Sequence, residues 1–323
     1  MLEPPLETTN SGFIFFIHRG PLQLYTRAAI LQSSIASPNS QIVLLSDQPE
    51  ASIPDEIRSK VIHATFEEFA GPAEKFSQIS RFDGSNGFNY ELLNFPRWYF
   101  VLAYCESHSL DGPILVLDSD AFLYLPIEVV EPRLTSPMTV VDKVGPQFTF
   151  FRSRTTISDF TTFLTESFST DEGFERLATF VRKSEDLGIP HVSDMAALGV
   201  YSKLQKLEDL GSPERNDFIF CENIGTSQGL VMGILGKKIR TRKTHRYFRT
   251  LDGRDVVSGG VHLQGGNNAL WPYFVDPSVK SALRKSSPLD YARARRAARK
   301  KALSVGLLRF STRLRRALPG SEL

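Results

Sequence analysis

The apolar run Ile114–Leu117 constrains this chain most, because it shows no polar alternation and stops abruptly at Asp118-Ser119-Asp120. A strand without alternation is buried on both faces, as happens inside a parallel sheet covered by helices. The residues before it agree. Phe13–Ile17 is an apolar run, Leu22–Ile35 has helical spacing, and Gln41–Leu45 is strand-like and ends in Ser46-Asp47, which makes a β–α–β beginning. Val61–His63 reads as a short strand and Tyr90–His108 as a helix, with the polar, Gly-containing stretch Glu74–Asn89 between them. Strands alternating with helices predict an α/β fold with a mixed, mostly parallel central sheet flanked by helices. In such sheets ligands bind beyond the carboxyl ends of the strands, where Asp118 and Asp120 stand.

The second half is less regular. It predicts strands at Met138–Val141, Phe148–Phe151, Phe218–Cys221, Lys238–Thr241 and Val261–Gln264, and helices at Thr156–Phe168, Asp171–Ser184 and from Asp194. With no internal repeat or linker, residues 1 to about 275 are read as one domain and 276–323 as an appended basic amphipathic tail. Residues 280–316 hold 13 of the 38 Lys and Arg with Asp290 as their single acid, which leaves 25 basic against 35 acidic side chains elsewhere. An acidic body with a basic tail calls for a separate partner for the tail.

Several classes are excluded. Two cysteines, Cys105 and Cys221, without a CxxC pairing support neither a disulfide framework nor a structural zinc site. The N-terminus lacks a basic region before its short apolar run, and no stretch reaches the roughly 18 apolar residues of a spanning helix. The expected location is therefore cytoplasmic. No GxGxxG, Walker A, GxSxG or HExxH motif is present.

Two carboxylates two residues apart face opposite ways in extended chain, so Asp118 and Asp120 share a ligand only if the chain turns there. A strand-end pair of this kind suits Mg²⁺ or Mn²⁺ bridging phosphate oxygens, although a plain turn with a capping Asp has the same sequence. His262 lies in the Gly-flanked segment Gly259-Gly260-Val261-His262-Leu263-Gln264-Gly265-Gly266, where backbone can approach a ligand. Its imidazole would suit Mn²⁺ as a third ligand, or be a satisfied core residue.

Taken together, the N-terminal β–α–β, Arg97-Trp98 on a helix, Asp118-Ser119-Asp120, Ser193-Asp194-Met195-Ala196-Ala197-Leu198 and a late His-x-x-Gly resemble the GT-A class of nucleotide-sugar glycosyltransferases across most of residues 13–275. The late His262-Leu263-Gln264-Gly265 is most like that of the retaining glycogenin and bacterial lipooligosaccharide galactosyltransferase type, with Leu270-Trp271-Pro272 in place of Lys-Pro-Trp. The resemblance implies that Asp120 and His262 ligate the metal, and that Asp118 contacts the metal or the donor. Gly265 and Gly266 would then let backbone N–H groups approach phosphate oxygens, and Ser119 would lie against the donor. It further implies that Phe16, His18 and Arg19 receive the nucleotide, with Asp47 reading the base or simply closing a turn. Arg97 would bridge Asp118 or the donor, or else form a surface ion pair. Asp194 would act near the anomeric carbon, or else cap its helix. Trp98 and Tyr99 read as core. Asp217, Glu222 and Asn223 are weaker candidates for acceptor contacts, and the loop Phe82–Phe88 is a candidate lid.

For the tail, an anionic membrane surface is the expected partner, which fits a lipid-linked acceptor on the cytoplasmic leaflet. A helix packed on the acidic body is the rival, and nucleic acid is not expected, since no stacking platform accompanies the cations. Other functions carrying a DxD are nucleotidyl transfer, a haloacid-dehalogenase-type phosphatase, which would need Thr where Phe122 stands, and non-catalytic nucleotide-sugar binding.

Overall fold

A computed structural model of the chain describes residues 12–81, 94–184, 191–212, 217–227, 229–233, 235–242 and 245–317, with side chains to residue 305. The main elements in chain order are β1 (Phe13–His18), α1 (Leu24–Ala36), β2 (Gln41–Ser46), β3 (Ile62–Thr65), α2 (Pro96–Ser107), β4 (Ile114–Leu117), β5 (Ala121–Leu123) and β6 (Phe148–Phe151). Then come α3 (Arg154–Ser169), α4 (Asp171–Lys183), α5 (Asp194–Gln205), β7 (Phe218–Cys221), β8 (Ile239–Arg242), β9 (His245–Arg249), β10 (Asp255–His262), α6 (Pro277–Ser286) and α7 (Pro288–Ala317).

The first sheet has the order β3-β2-β1-β4-β6. Its first four strands are parallel, with Phe13 opposite Gln41 and Ile114, and β6 closes the edge antiparallel to β4. Period-two alternation divides the core between the faces of this sheet. Ile14, Phe16, Leu44, Leu115 and Leu117 pack with α1 and the second sheet, while Phe15, Ile17, Val43, Leu45 and Val116 pack with α2, α3 and α5. Both faces are apolar, which is why these strands carry no alternation.

A second sheet, β8-β9-β10-β5 with β7 parallel to β10, is separated from the end of β4 by three residues. Strand β5 follows Asp120 directly and pairs with β10, so that His262 lies opposite Ala121. The helical segment assigned to the tail differs from expectation in its first part. Val279, Leu283, Tyr291 and Ala298 are all buried, and Tyr291 meets the Trp271 ring edge-on at 5.9 Å. Residues 277–298 therefore belong to the packed body, because apolar side chains recur on one stripe of α6 and α7 that packs with α1 and the segment Gly265–Tyr273. No helix among the described residues is long and apolar enough to cross a membrane. The candidate lid Phe82–Phe88 lies outside the described residues.

Candidate functional site

The site arises where the chain leaves one sheet for the other. After β4 the backbone turns, with Ala121 N donating to Asp118 O at 3.0 Å, and continues as β5. That turn reverses the outward divergence of two carboxylates two residues apart and aims both at the end of β10. Asp120 Oδ1 lies 3.0 Å from His262 Nε2, and Asp118 Oδ2 lies 3.8 Å from it. The ligand atoms of Asp118, Asp120 and His262 all fall within 4.8 Å of one another. Sequence separation hid this meeting, since β5 is only three residues long and β10 arrives about 140 residues later.

His262 is fixed by a partner with no side-chain signature: its Nδ1–H donates to the Glu222 carbonyl at 2.6 Å. That bond selects the tautomer and turns the Nε2 lone pair toward the carboxylates. Three lone-pair donors then face one point, a set that binds either a proton or a cation. Burial works against a charged imidazole, but the hydrogen bond and charge of Asp120, then Asp118 and the Glu222 carbonyl, raise His262 to about 8. This sets a pH dependence. With chelator present, the protonated ring contributes about 2 kcal/mol of stability below the unfolded value of 6.5, and that contribution is lost as pH rises through about 8. Urea midpoints in chelator should fall between pH 6.5 and 8.5 in the native chain, and a His262→Gln variant should lose most of that difference. Equal slopes in the two proteins would remove the Asp120–His262 interaction as the cause. Affinity for a divalent cation should rise over the same interval, because the metal displaces the proton.

Arg97 sits behind this triad on α2. Its Nη1 donates to Asp118 Oδ1 at 2.7 Å and its Nη2 to Asp194 Oδ2. Arg97 and Asp194 are 7% and 3% exposed, so this is a buried bridge and neither a surface pair nor a helix cap. Burial disfavours the guanidinium charge, yet Asp194 and Asp118 more than offset it and hold Arg97 above its ordinary value. One oxygen of Asp118 is thus occupied, and the other faces His262.

Around the triad, His18 Nδ1 lies 2.9 Å from Ser119 Oγ, which ties the end of β1 to the turn. Burial depresses the His18 pKa against the opposing pull of the Pro21 carbonyl and Asp47. Asp47 accepts the Gly20 N–H at 2.7 Å, so its carboxylate closes the turn after β1, and Arg19 beside it is exposed. Gly265, at φ +58, and Gly266 form an exposed turn just past His262.

Two sequence readings are corrected. Phe16 is fully buried in the core beneath α1, because the central strand packs on both faces, and its side chain does not reach a nucleotide. Gly259 and Gly260 give space to aromatic rings and not to a ligand: a Cβ there would lie 2.5 Å from Phe220 and 2.6 Å from Phe148. Among the weaker candidates, Glu222 and Asn223 border the triad, the Asn223 amide donating to Gln264 Oε1 at 2.8 Å. Glu222 is pushed up to about 7 by burial and by the neighbouring Asp142 carboxyl.

A cavity of about 1780 Å³ lies apart from the triad, none of whose residues lines it. Its walls include Ile35, Met232, Leu235, Tyr273 and Leu303, with Arg246 and Lys280 among them.

A scan against protein-family models matches none, and a search of curated proteins finds no match. Among solved structures, the chain is similar to the apo form of mouse xyloside xylosyltransferase 1, at 12% identity over 68% of this chain and 88% of that one, with a TM-score of 0.41. It is similar to the galactosyltransferase LgtC in complex with donor and acceptor sugar analogues, at 12% identity, 58% and 70% coverage and a TM-score of 0.31. A third is the apo glycosyltransferase GlyE of Streptococcus pneumoniae, at 16% identity, 62% and 45% coverage and a TM-score of 0.31. All three scores lie below 0.5, so the functional reading rests on the side chains of the site.

Proposed function

We propose that this chain is a metal-dependent glycosyltransferase of the GT-A class. It would move a sugar from a nucleoside-diphosphate sugar, in the first place a UDP-sugar, to a saccharide or lipid-linked acceptor in surface-polysaccharide assembly. The observation that carries this reading is the convergence of Asp118, Asp120 and His262 at the carboxyl end of a parallel strand. Two carboxylates and a neutral imidazole suit Mn²⁺ or Mg²⁺, and the imidazole favours Mn²⁺. Bound there, the cation would act as a Lewis acid on the donor diphosphate and stabilise the departing nucleoside diphosphate.

The chain's own residues account for binding and orientation. Asp118, Asp120 and His262 would hold the metal, and Arg97 keeps Asp118 aimed at it. The Gly265-Gly266 turn would offer backbone N–H groups to phosphate oxygens. His18, Ser119, Arg19 and Asp47 would border the ribose and base. Asp194, buried and paired with Arg97, is held as a charged partner and is poorly placed to accept a proton from an acceptor hydroxyl. That supports a retaining outcome, which the anomeric configuration of the product would report by NMR.

The large cavity supports an amphiphilic acceptor. Its apolar walls suit a lipid chain, and Arg246 and Lys280 suit the anionic group that such a carrier bears. The outward cations of α7, among them Arg295, Arg296 and Arg299, are exposed and would face anionic headgroups on the cytoplasmic leaflet.

The test is calorimetric titration of UDP, GDP and CDP with and without Mn²⁺, followed by UDP-sugars and detection of released UDP. Metal-dependent binding of one diphosphate with release of its nucleotide is the expected result. Binding without turnover toward any donor would favour a non-catalytic sugar-nucleotide protein, and turnover of nucleoside triphosphates would favour nucleotidyl transfer. Absence of diphosphate binding would overturn the reading.

A further inference from the structure

The charges of the site do not balance once a donor is present. A divalent cation is cancelled by Asp118 and Asp120, and Arg97 is cancelled by Asp194. A diphosphate bridge is anionic on both phosphoryl groups, so another cation is needed to compensate it in a partly buried site. Arg19, at the end of β1, is exposed and interacts with Asp47.

The fold supplies one from the opposite side. Helix α7 packs along the 3-10 helix Gly265–Tyr273, which opens with the glycine turn beyond His262. Its cations at Arg293, Arg295, Arg296, Arg299 and Lys300 are exposed, whereas Lys301 falls on the body-facing stripe with Tyr291, Ala294 and Ala298 and is half-buried. Its ammonium rests on the turn: a Cβ at Gly266 would lie 3.3 Å from Lys301 Nζ. Among the described residues Lys301 has no carboxylate partner in an ion pair, unlike Arg293, which has Asp290. A side chain at position 266 would make the ammonium shift by a few tenths of an ångström, so the two groups are in direct reach of one another.

We infer that Lys301 is a donor-binding residue whose ammonium pairs with the diphosphate over the Gly265-Gly266 turn, so that α7 completes the donor site. This rests on the reading of the triad as a sugar-nucleotide site. The cationic helix then has two faces with separate work. Its exposed cations serve solubility or a surface, and Lys301 serves the ligand.

The test compares native protein with Lys301→Met, which keeps the alkyl stem, and with Lys300→Met as the outward-facing control. UDP, GDP, CDP, UMP and inorganic pyrophosphate are titrated by calorimetry with saturating Mn²⁺, and Mn²⁺ alone is followed by electron paramagnetic resonance. The expected result is about a 10- to 100-fold loss of diphosphate and pyrophosphate affinity in Lys301→Met. UMP should lose much less, Mn²⁺ alone should bind as in the native chain, and Lys300→Met should bind all probes normally. Urea midpoints check that both variants fold. If native protein binds a diphosphate and Lys301→Met binds it equally well, the inference is overturned while the glycosyltransferase reading stands. If native protein binds no diphosphate or pyrophosphate with Mn²⁺, both fall together.

Discussion

Asp120→Asn is expected to lower the affinity for Mn²⁺ by about 100-fold or more and to abolish metal-dependent binding of nucleoside diphosphates, with His262→Gln giving a loss of the same order. Changes in groups that only orient metal ligands already cost roughly 10- to 100-fold, so removing one of the three proposed ligands should reach at least the upper end. Both substitutions preserve volume, and both positions are bordered by hydrogen-bonding groups, so the fold should persist. A second readout isolates the cause. In chelator, Asp120 is the largest support for the proton on His262, and burial opposes it. Asp120→Asn should therefore drop His262 from about 8 toward or below its ordinary value, visible as a shift in its ring resonances during an NMR titration. Mn²⁺ affinity unchanged within threefold in both variants would mean that the triad is a hydrogen-bonded turn, and the functional reading would go with it.

How much of this was legible in the sequence depends on where each signal resides. Strands β1, β2 and β4 were readable because burial on both faces leaves an unbroken apolar run, and the carboxylates at the end of β4 were readable for the same reason. Strand β5 was not, since Ala121–Leu123 follows the carboxylates with no breaker and is too short to show a period. Yet it is β5 that carries the chain into the second sheet and makes the carboxylates converge. Partners made of backbone were invisible: nothing about Glu222 announces that its carbonyl orients His262. The paired glycines were ambiguous by nature, because a missing Cβ serves an aromatic ring at Gly260 and open space at Gly265 equally well. Phe16 shows the opposite limit, where nearness in sequence to His18 suggested a shared role, although its ring is fully buried in the core beneath α1. Lys301 sat within a run of cations, and only the buried stripe of α7 separates it from its neighbours.

The buried bridge at Arg97 yields the largest effect on stability. Arg97→Met would leave Asp118 and Asp194 with no guanidinium between them, and Asp194 is almost wholly buried. Removing one partner of a buried ion pair costs about 3–5 kcal/mol, mostly through the charge left behind. Arg97→Lys should fare little better, because a single ammonium cannot span two carboxylates as the planar fork does. If the penalty comes from the stranded charge, adding Asp194→Asn to Arg97→Met should recover part of the urea midpoint. Mn²⁺ affinity should stay about tenfold down in that double variant, since Asp118 Oδ1 still lacks the donor that leaves Oδ2 facing His262. Recovery of stability and metal affinity together would reduce Arg97 to a structural ion. Recovery of stability alone identifies it as the residue that positions Asp118, and so connects the core of the first sheet to the geometry of the site.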